Sequence, residues 1–250
     1  RDRVTLAGSA GIGKTRLALK VASDIVERYR DGVWLVELAP VADPALVPKT
    51  VGLALGVTEQ SARPVRDLLV DVLGPRQLLL VLDNCEHLVQ ACAELVDTLL
   101  RACPDLRVLA TSRQSLHVPG ETTWRVPSMA LPPTIDFTPA ESLGRYDATR
   151  LFAERAMAAL PSFAIAGGNA ATITRICSHL DGIPLAIELA AARVAVLAPD
   201  QIDDRLSDRF RLLTAGSRTA LPRQQTLRAT LDWSFGLLAK QERVLFRRLA

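Results

Sequence analysis

The stretch Gly8-Ser9-Ala10-Gly11-Ile12-Gly13-Lys14-Thr15 decides the fold of this chain. It fits the pattern G-x-x-x-x-G-K-[ST], in which a loop curves around a phosphate and turns its backbone N–H groups inward. Glycines permit the dihedral angles and the close approach that such a loop requires. Lys14 would place a positive charge at the β and γ phosphates, and the Thr15 hydroxyl would ligate Mg²⁺.

The residues on either side of this loop have the pattern that phosphate binding needs. Residues 4–7 form a short strand-like stretch, and residues 15–29 repeat apolar side chains at helical spacing. The positive end of that helix dipole would face the phosphates. The sequence therefore predicts a site for a nucleoside triphosphate, ATP with Mg²⁺, contacted by Gly8, Ser9, Ala10, Gly11, Ile12, Gly13, Lys14, Thr15 and Arg16.

The composition is that of an ordinary globular protein. The chain has 250 residues, of which 49% are hydrophobic and 23% charged, with a formal net charge of +3. This balance does not by itself indicate nucleic acid or a membrane surface, and no apolar run has the length of a membrane span. We expect a cytoplasmic protein, cut from a longer polypeptide, with reduced core thiols at Cys85, Cys92, Cys103 and Cys177.

Strand-like and helix-like stretches alternate through the first half of the chain. Residues 33–38, 107–111 and 122–126 are strand-like, and the continuous apolar run at 78–82 is typical of a strand covered on both faces. This alternation predicts a parallel sheet with helices on both sides. Residues 127–143, rich in Pro, Thr and Ser, are interpreted as a linker, and the pattern beyond Asp147 is helical only.

Two acidic positions follow the apolar run. Asp83 has the place of the carboxylate that holds Mg²⁺ through water, although a helix cap or turn is the alternative. Asn84 follows where many hydrolysing ATPases carry an acid, and an amide cannot act as a base. Glu86 is the nearest carboxylate and either serves as that base or caps the helix that begins near His87. We therefore expect slow turnover.

Thr111-Ser112-Arg113 ends the next strand, where Arg113 is a candidate to contact the γ-phosphate; a surface arginine is the alternative. In these residues the chain resembles the NB-ARC-type STAND ATPases, above all the bacterial branch in large LuxR- and SARP-type transcriptional regulators. The resemblance rests on segments that occur in the same order: 8–15, 79–88, 110–113, a G-x-P-like segment at 181–186, and a winged-helix entry at 223–227 and 231–234.

The resemblance implies an α/β fold in three parts: a RecA-like parallel sheet with the P-loop in residues 1–127, a helical bundle in 128–206 and the start of a winged helix in 207–250. Pro184 would lie against the adenine, although starting a helix alone would account for this proline. Arg113 would be the first sensor. Such modules hold ADP, exchange it for ATP when a C-terminal sensor domain is engaged, and self-assemble; a separate domain binds DNA.

The sequence is compatible with alternatives to such a slow ATPase switch. An AAA+-like remodelling ATPase needs rapid hydrolysis and an arginine from a neighbouring subunit, whereas a kinase-like transferase would need an acceptor-binding signature that we do not see. Direct DNA contact by the basic third of the chain is not expected, because aspartates lie among its arginines and no aromatic residues are interleaved. Those arginines are Arg205, Arg209, Arg211, Arg218, Arg223 and Arg228.

Overall fold

The computed structural model describes residues 3–57, 63–133 and 140–206. The predicted winged helix and five of the six arginines of the basic third lie outside these residues. The contacts divide the chain into two compact units, one of residues 1–9 and 13–126 and one of residues 10–12 and 127–250.

The first unit is built on a five-stranded sheet in which every neighbouring pair is parallel. The strand order is β2-β3-β4-β1-β5. The α/β fold with a parallel sheet, predicted from the alternating pattern, is therefore confirmed. Parallel strands end at one edge of a sheet, so the residues that follow β1, β3 and β4 come together there. The strands are β1 (Arg3–Ala7), β2 (Val33–Glu37), β3 (Leu79–Asp83), β4 (Arg107–Ser112) and β5 (Thr122–Arg125).

Both faces of this sheet are covered, and β3 shows it most clearly because all five of its residues are buried. Side chains alternate between the two faces of a strand. Accordingly Leu80 and Leu82 belong to one apolar cluster, while Leu79 and Val81 belong to another. This burial on both faces is the physical reason why residues 78–82 are continuously apolar.

The described part of the first unit contains four helices beside the sheet: α1 (Lys14–Ile25), α2 (Val47–Ala54), α3 (Val65–Leu73) and α4 (Val89–Ala102). The helix expected over residues 15–29 ends earlier, at Ile25, and the chain continues as a 3-10 turn over Val26–Arg28. The helix expected near His87 begins at Val89, after a further 3-10 turn over Cys85–His87. A third such turn, over Pro44–Leu46, precedes α2.

The described part of the second unit is helical. Phe152, Ile173 and Ile187 are fully buried in its core, and an ion pair between Arg155 and Glu188 joins the first and third helices at 3.0 Å. The described helices are α5 (Asp147–Ala159), α6 (Ala170–His179), α7 (Pro184–Ala191) and α8 (Pro199–Arg205), with 3-10 turns at Ala140–Arg145 and Ala192–Ala195.

A close backbone approach explains the glycine before α7. Gly182 has a φ of 65°, in the left-handed region that favours glycine. A Cβ atom at this position would lie 2.5 Å from the Met129 carbonyl oxygen. The Met129 N–H donates a hydrogen bond to the Gly182 carbonyl oxygen at 2.9 Å, so this contact ties the preceding segment to the start of the helix.

All four cysteines are buried as free thiols. Burial raises the pKa of Cys177 to about 12, because an apolar surrounding disfavours the thiolate. Within the described residues, every helix is either too short or too polar to pass through a bilayer.

Candidate functional site

The loop between β1 and α1 has the backbone conformation that a phosphate loop needs. Gly11 and Gly13 have φ values of 79° and 97°, which L-amino acids with a side chain rarely adopt. A Cβ atom on Gly13 would meet nothing within 4 Å, so its conformation, and not crowding, requires glycine there. Gly13 is the N-cap of α1 and offers no capping side chain. The first N–H groups of this helix are therefore suited to receive an anion.

Lys14, the first residue of α1, is only 9% exposed despite its charge. Its ammonium group donates hydrogen bonds to the carbonyl oxygens of Gly8 (2.9 Å) and Ser9 (3.0 Å). Lysines are rarely buried unless they are paired. These two bonds hold the positive charge against the start of the loop.

A buried hydrogen-bond network joins the start of α1 to the ends of β3 and β4. Asp83, which is 6% exposed, accepts hydrogen bonds at Oδ1 from the hydroxyls of Thr15 (2.7 Å) and Thr111 (2.6 Å). The Asn84 N–H donates to the Thr111 hydroxyl oxygen at 2.9 Å. Sequence reasoning assigned no role to Thr111, because nothing in the strand pattern distinguishes it from any other buried threonine.

The donor set fits Mg²⁺. A hydroxyl and a carboxylate oxygen are hard ligands, and Mg²⁺ typically binds one or two such protein oxygens and completes its shell with water and phosphate oxygens. Among residues 3–57, 63–133 and 140–206, no group of three or more His, Cys, Asp or Glu side chains could form a metal cage. The pair Thr15 and Asp83 is therefore suited to an ion that arrives with a phosphate ligand.

Glu86 and Arg113 lie close to this network. Asn84 has a φ of 68°, and this left-handed turn leads into the 3-10 turn that carries Glu86. The carboxylate Oε1 of Glu86 lies 3.5 Å from Nε of Arg113, with the two side chains 6% and 22% exposed. Glu86 Oε2 is buried without a hydrogen-bond partner in the described structure. Glu86 thus faces Arg113, while Leu88 occupies the N-cap of α4.

The remaining predicted site residues lie in different places. Arg16 is exposed on the first turn of α1. Pro184 is the first residue of α7, where its missing N–H is not needed. The contacts group Ala10, Gly11 and Ile12 with the second unit, in which the Leu185 N–H donates to the Gly11 carbonyl oxygen at 3.2 Å.

The first half of the chain matches a known protein family. Residues 2–123 match the NACHT domain. This domain is a STAND-type P-loop NTPase domain. The matched region covers β1 to β4, the first two residues of β5 and most of the first unit, and it contains the loop, Asp83, Thr111 and Arg113.

The relatives of this chain are larger proteins. A protein of Mycobacterium tuberculosis (strain H37Rv) that carries the name of an HTH-type transcriptional regulator is 50% identical over 247 residues, which cover 99% of this chain and 26% of that protein. The regulatory protein AfsR of Streptomyces griseus is 29% identical over 263 residues, covering 98% of this chain and 23% of AfsR. The chain thus spans about a quarter of the length of these relatives.

Among solved structures, a STAND protein with a tetratricopeptide repeat sensor from Pyrococcus horikoshii is similar to this chain. The TM-score is 0.47 and the sequence identity 15%, and the superposition covers 97% of this chain and 31% of that one.

Proposed function

We propose that this chain is the ATP- and ADP-binding switch of a larger bacterial transcriptional regulator, and that it hydrolyses ATP slowly. The observation that carries the proposal is the 2.7 Å hydrogen bond between Thr15 and Asp83. It joins the end of the phosphate loop to the acidic end of β3, across 68 residues of sequence.

In this proposal the loop residues from Gly8 to Arg16 bind the phosphates, and Lys14 contributes the positive charge. Thr15 and Asp83 would hold Mg²⁺, Thr15 directly and Asp83 through water. Mg²⁺, when bound, would neutralise charge on the β and γ phosphates. Pro184 would lie against the adenine, as the resemblance to the STAND ATPases implies.

Slow hydrolysis is supported by the side chains that follow β3. Asn84 carries an amide that cannot accept a proton from water. Glu86 is the remaining candidate for a base, but its carboxylate faces the guanidinium of Arg113 at 3.5 Å. This ion pair engages the carboxylate that a catalytic base would use. Arg113 would be the sensor that contacts the γ-phosphate.

The regulatory context is supported by the names of the relatives, which are regulators about four times as long as this chain. We propose that a C-terminal sensor domain and a separate DNA-binding domain complete the protein in the cytoplasm, and that ATP promotes self-assembly. We also propose that the nucleotide-binding domain is of the NB-ARC type and that the domain boundaries lie at residues 127 and 206.

Binding of the fluorescent analogue mantATP tests the proposal. Wild-type protein should bind it in the presence of Mg²⁺, and Lys14→Ala should lose at least about a hundredfold in affinity, because a charge-assisted contact to phosphate is removed. Lys20→Ala is the matched control, since Lys20 lies on the same helix with a side chain that is 72% exposed. Equal affinity of the Lys14 and Lys20 variants would refute the proposal.

The nucleotide retained after purification separates the switch from the alternative. Retained ADP with slow release of phosphate supports a switch. Empty protein with turnover above about 1 s⁻¹, within the range of working enzymes, would instead identify an actively hydrolysing remodelling ATPase.

A further inference from the structure

We propose that Thr111 is a positioning residue for the Mg²⁺ site: it orients the Asp83 carboxylate and couples it to the turn at Asn84. The inference rests on the proposed nucleotide-binding function and adds a residue to it. Thr111 lies on β4 and is 1% exposed, so water does not compete for its hydroxyl.

The direction of each hydrogen bond around Thr111 follows from counting protons. The Thr111 hydroxyl donates its single proton to Asp83 Oδ1 at 2.6 Å, because a carboxylate oxygen accepts. The hydroxyl oxygen then accepts from the Asn84 N–H at 2.9 Å. The Thr111 side chain therefore forms hydrogen bonds both with the Asn84 N–H, in the turn after β3, and with the Asp83 carboxylate at the end of β3.

Two hydroxyls hold the same carboxylate oxygen. Thr15 donates to Asp83 Oδ1 at 2.7 Å, from the start of α1. Thr111 donates to the same atom from β4. Because a carboxylate is planar and rigid, fixing Oδ1 from two directions also fixes the direction of Oδ2. Hydrogen bonds to a charged acceptor are stronger than neutral ones, so this orientation is well defined.

The strand order explains why a residue on β4 can orient the Asp83 carboxylate. This strand lies between β1, which leads into the phosphate loop, and β3, which ends at Asp83. Thr111 is in register with Leu6 on β1. It also comes one residue after Ala110, the partner of Leu82 on β3. Thr111 is thus placed next to both strands whose ends carry the site.

If Thr111 had only a structural role, replacing it would have a different effect. A buried threonine that only fills space could be replaced by valine, which has almost the same volume, with an effect on stability alone. A positioning residue must in addition change how strongly Mg²⁺ enhances nucleotide binding. The ratio of mantATP affinity with Mg²⁺ to that with EDTA measures this enhancement and is insensitive to a general loss of stability.

The test compares Thr111→Val with Thr111→Ser in the whole chain. Thr111→Val removes a hydrogen bond to a charged group and should reduce the Mg²⁺ enhancement about tenfold. Thr111→Ser keeps the hydroxyl and should retain most of the enhancement. Thr174→Val is the matched control, since Thr174 is fully buried in the second unit and donates to the Ala170 carbonyl oxygen. It should lower the melting temperature and leave the enhancement unchanged.

Every outcome of this comparison either supports or overturns the inference. An unchanged enhancement in folded Thr111→Val, or an equal loss in the serine variant, overturns the inference while leaving the proposed function intact. If the valine variant yields no folded protein, Thr111→Cys replaces it. Its weak thiol donor should also reduce the enhancement, and a wild-type ratio would overturn the inference. Failure of the wild-type protein to bind mantATP would refute the proposed function itself.

Discussion

The ion pair between Glu86 and Arg113 allows a quantitative test of how burial determines its strength. The perturbation is a double-mutant cycle of Glu86→Gln, Arg113→Met and both together. Glutamine keeps the shape of Glu86 without its charge, and methionine keeps much of the apolar stem of Arg113. The quantity of interest is the coupling free energy between the two side chains.

The expected magnitude follows from distance and exposure. At 3.5 Å and an effective dielectric constant of about 20, Coulomb attraction between unit charges is about 5 kcal/mol. The cost of desolvating both charges offsets part of this attraction. We therefore expect a measured coupling of about 1 to 3 kcal/mol, which lies in the upper part of the range of about 0.5 to 3 kcal/mol found for residues within one network.

A surface pair in the same unit provides the contrast. Lys20 and Asp24 approach more closely, at 2.6 Å, but their side chains are 72% and 53% exposed. Water screens such a pair, and couplings of exposed helix pairs are at most about 0.5 kcal/mol. The longer but buried pair should therefore be the stronger one.

Urea unfolding followed by tryptophan fluorescence measures both cycles. Trp34 lies on β2, next to β3 in the sheet, and reports on the unit that contains both pairs. A coupling between Glu86 and Arg113 no larger than that between Lys20 and Asp24 would refute the argument that burial makes this pair strong.

Two further predictions concern titratable groups. Burial raises the pKa of Glu121, but hydrogen bonds from its neighbours outweigh this and leave the pKa lowered; the donors are Ser115, Thr5, Leu116 and His117. A carboxyl with a lowered pKa in the folded state stabilises the protein above its unfolded pKa, so this stability should be lost as the pH falls below about 4.5. Melting temperatures across that range should fall less steeply for Glu121→Gln, and parallel curves would contradict the assignment. Burial raises the pKa of Cys177 to about 12, so Ellman's reagent at about pH 8 should label this thiol only after unfolding. Rapid labelling of native protein, compared with a Cys177→Ala control, would show that the site opens.

The phosphate loop and the sheet were predictable because their causes are local. Gly11 and Gly13 adopt conformations that other residues avoid, and a side chain at either position would be strained in any fold. The apolar run that became β3 required cover on both faces, which a parallel sheet with helices supplies. The exact ends of the helices were less predictable. Residues 26–28 have helical periodicity, yet they form a 3-10 turn before β2.

The network around Asp83 could not be read from the chain, because it depends on strand register. Thr111 lies 28 residues from Asp83 along the sequence, and only the parallel pairing of β3 with β4 brings the hydroxyl to 2.6 Å from the carboxylate. The same pairing turns Glu86 towards Arg113. Residue types and spacings were enough to predict a phosphate loop followed by an acid, since these follow from local backbone chemistry. Tertiary packing determined which buried polar groups form hydrogen bonds with each other. A buried donor must bond to an acceptor that the fold places beside it.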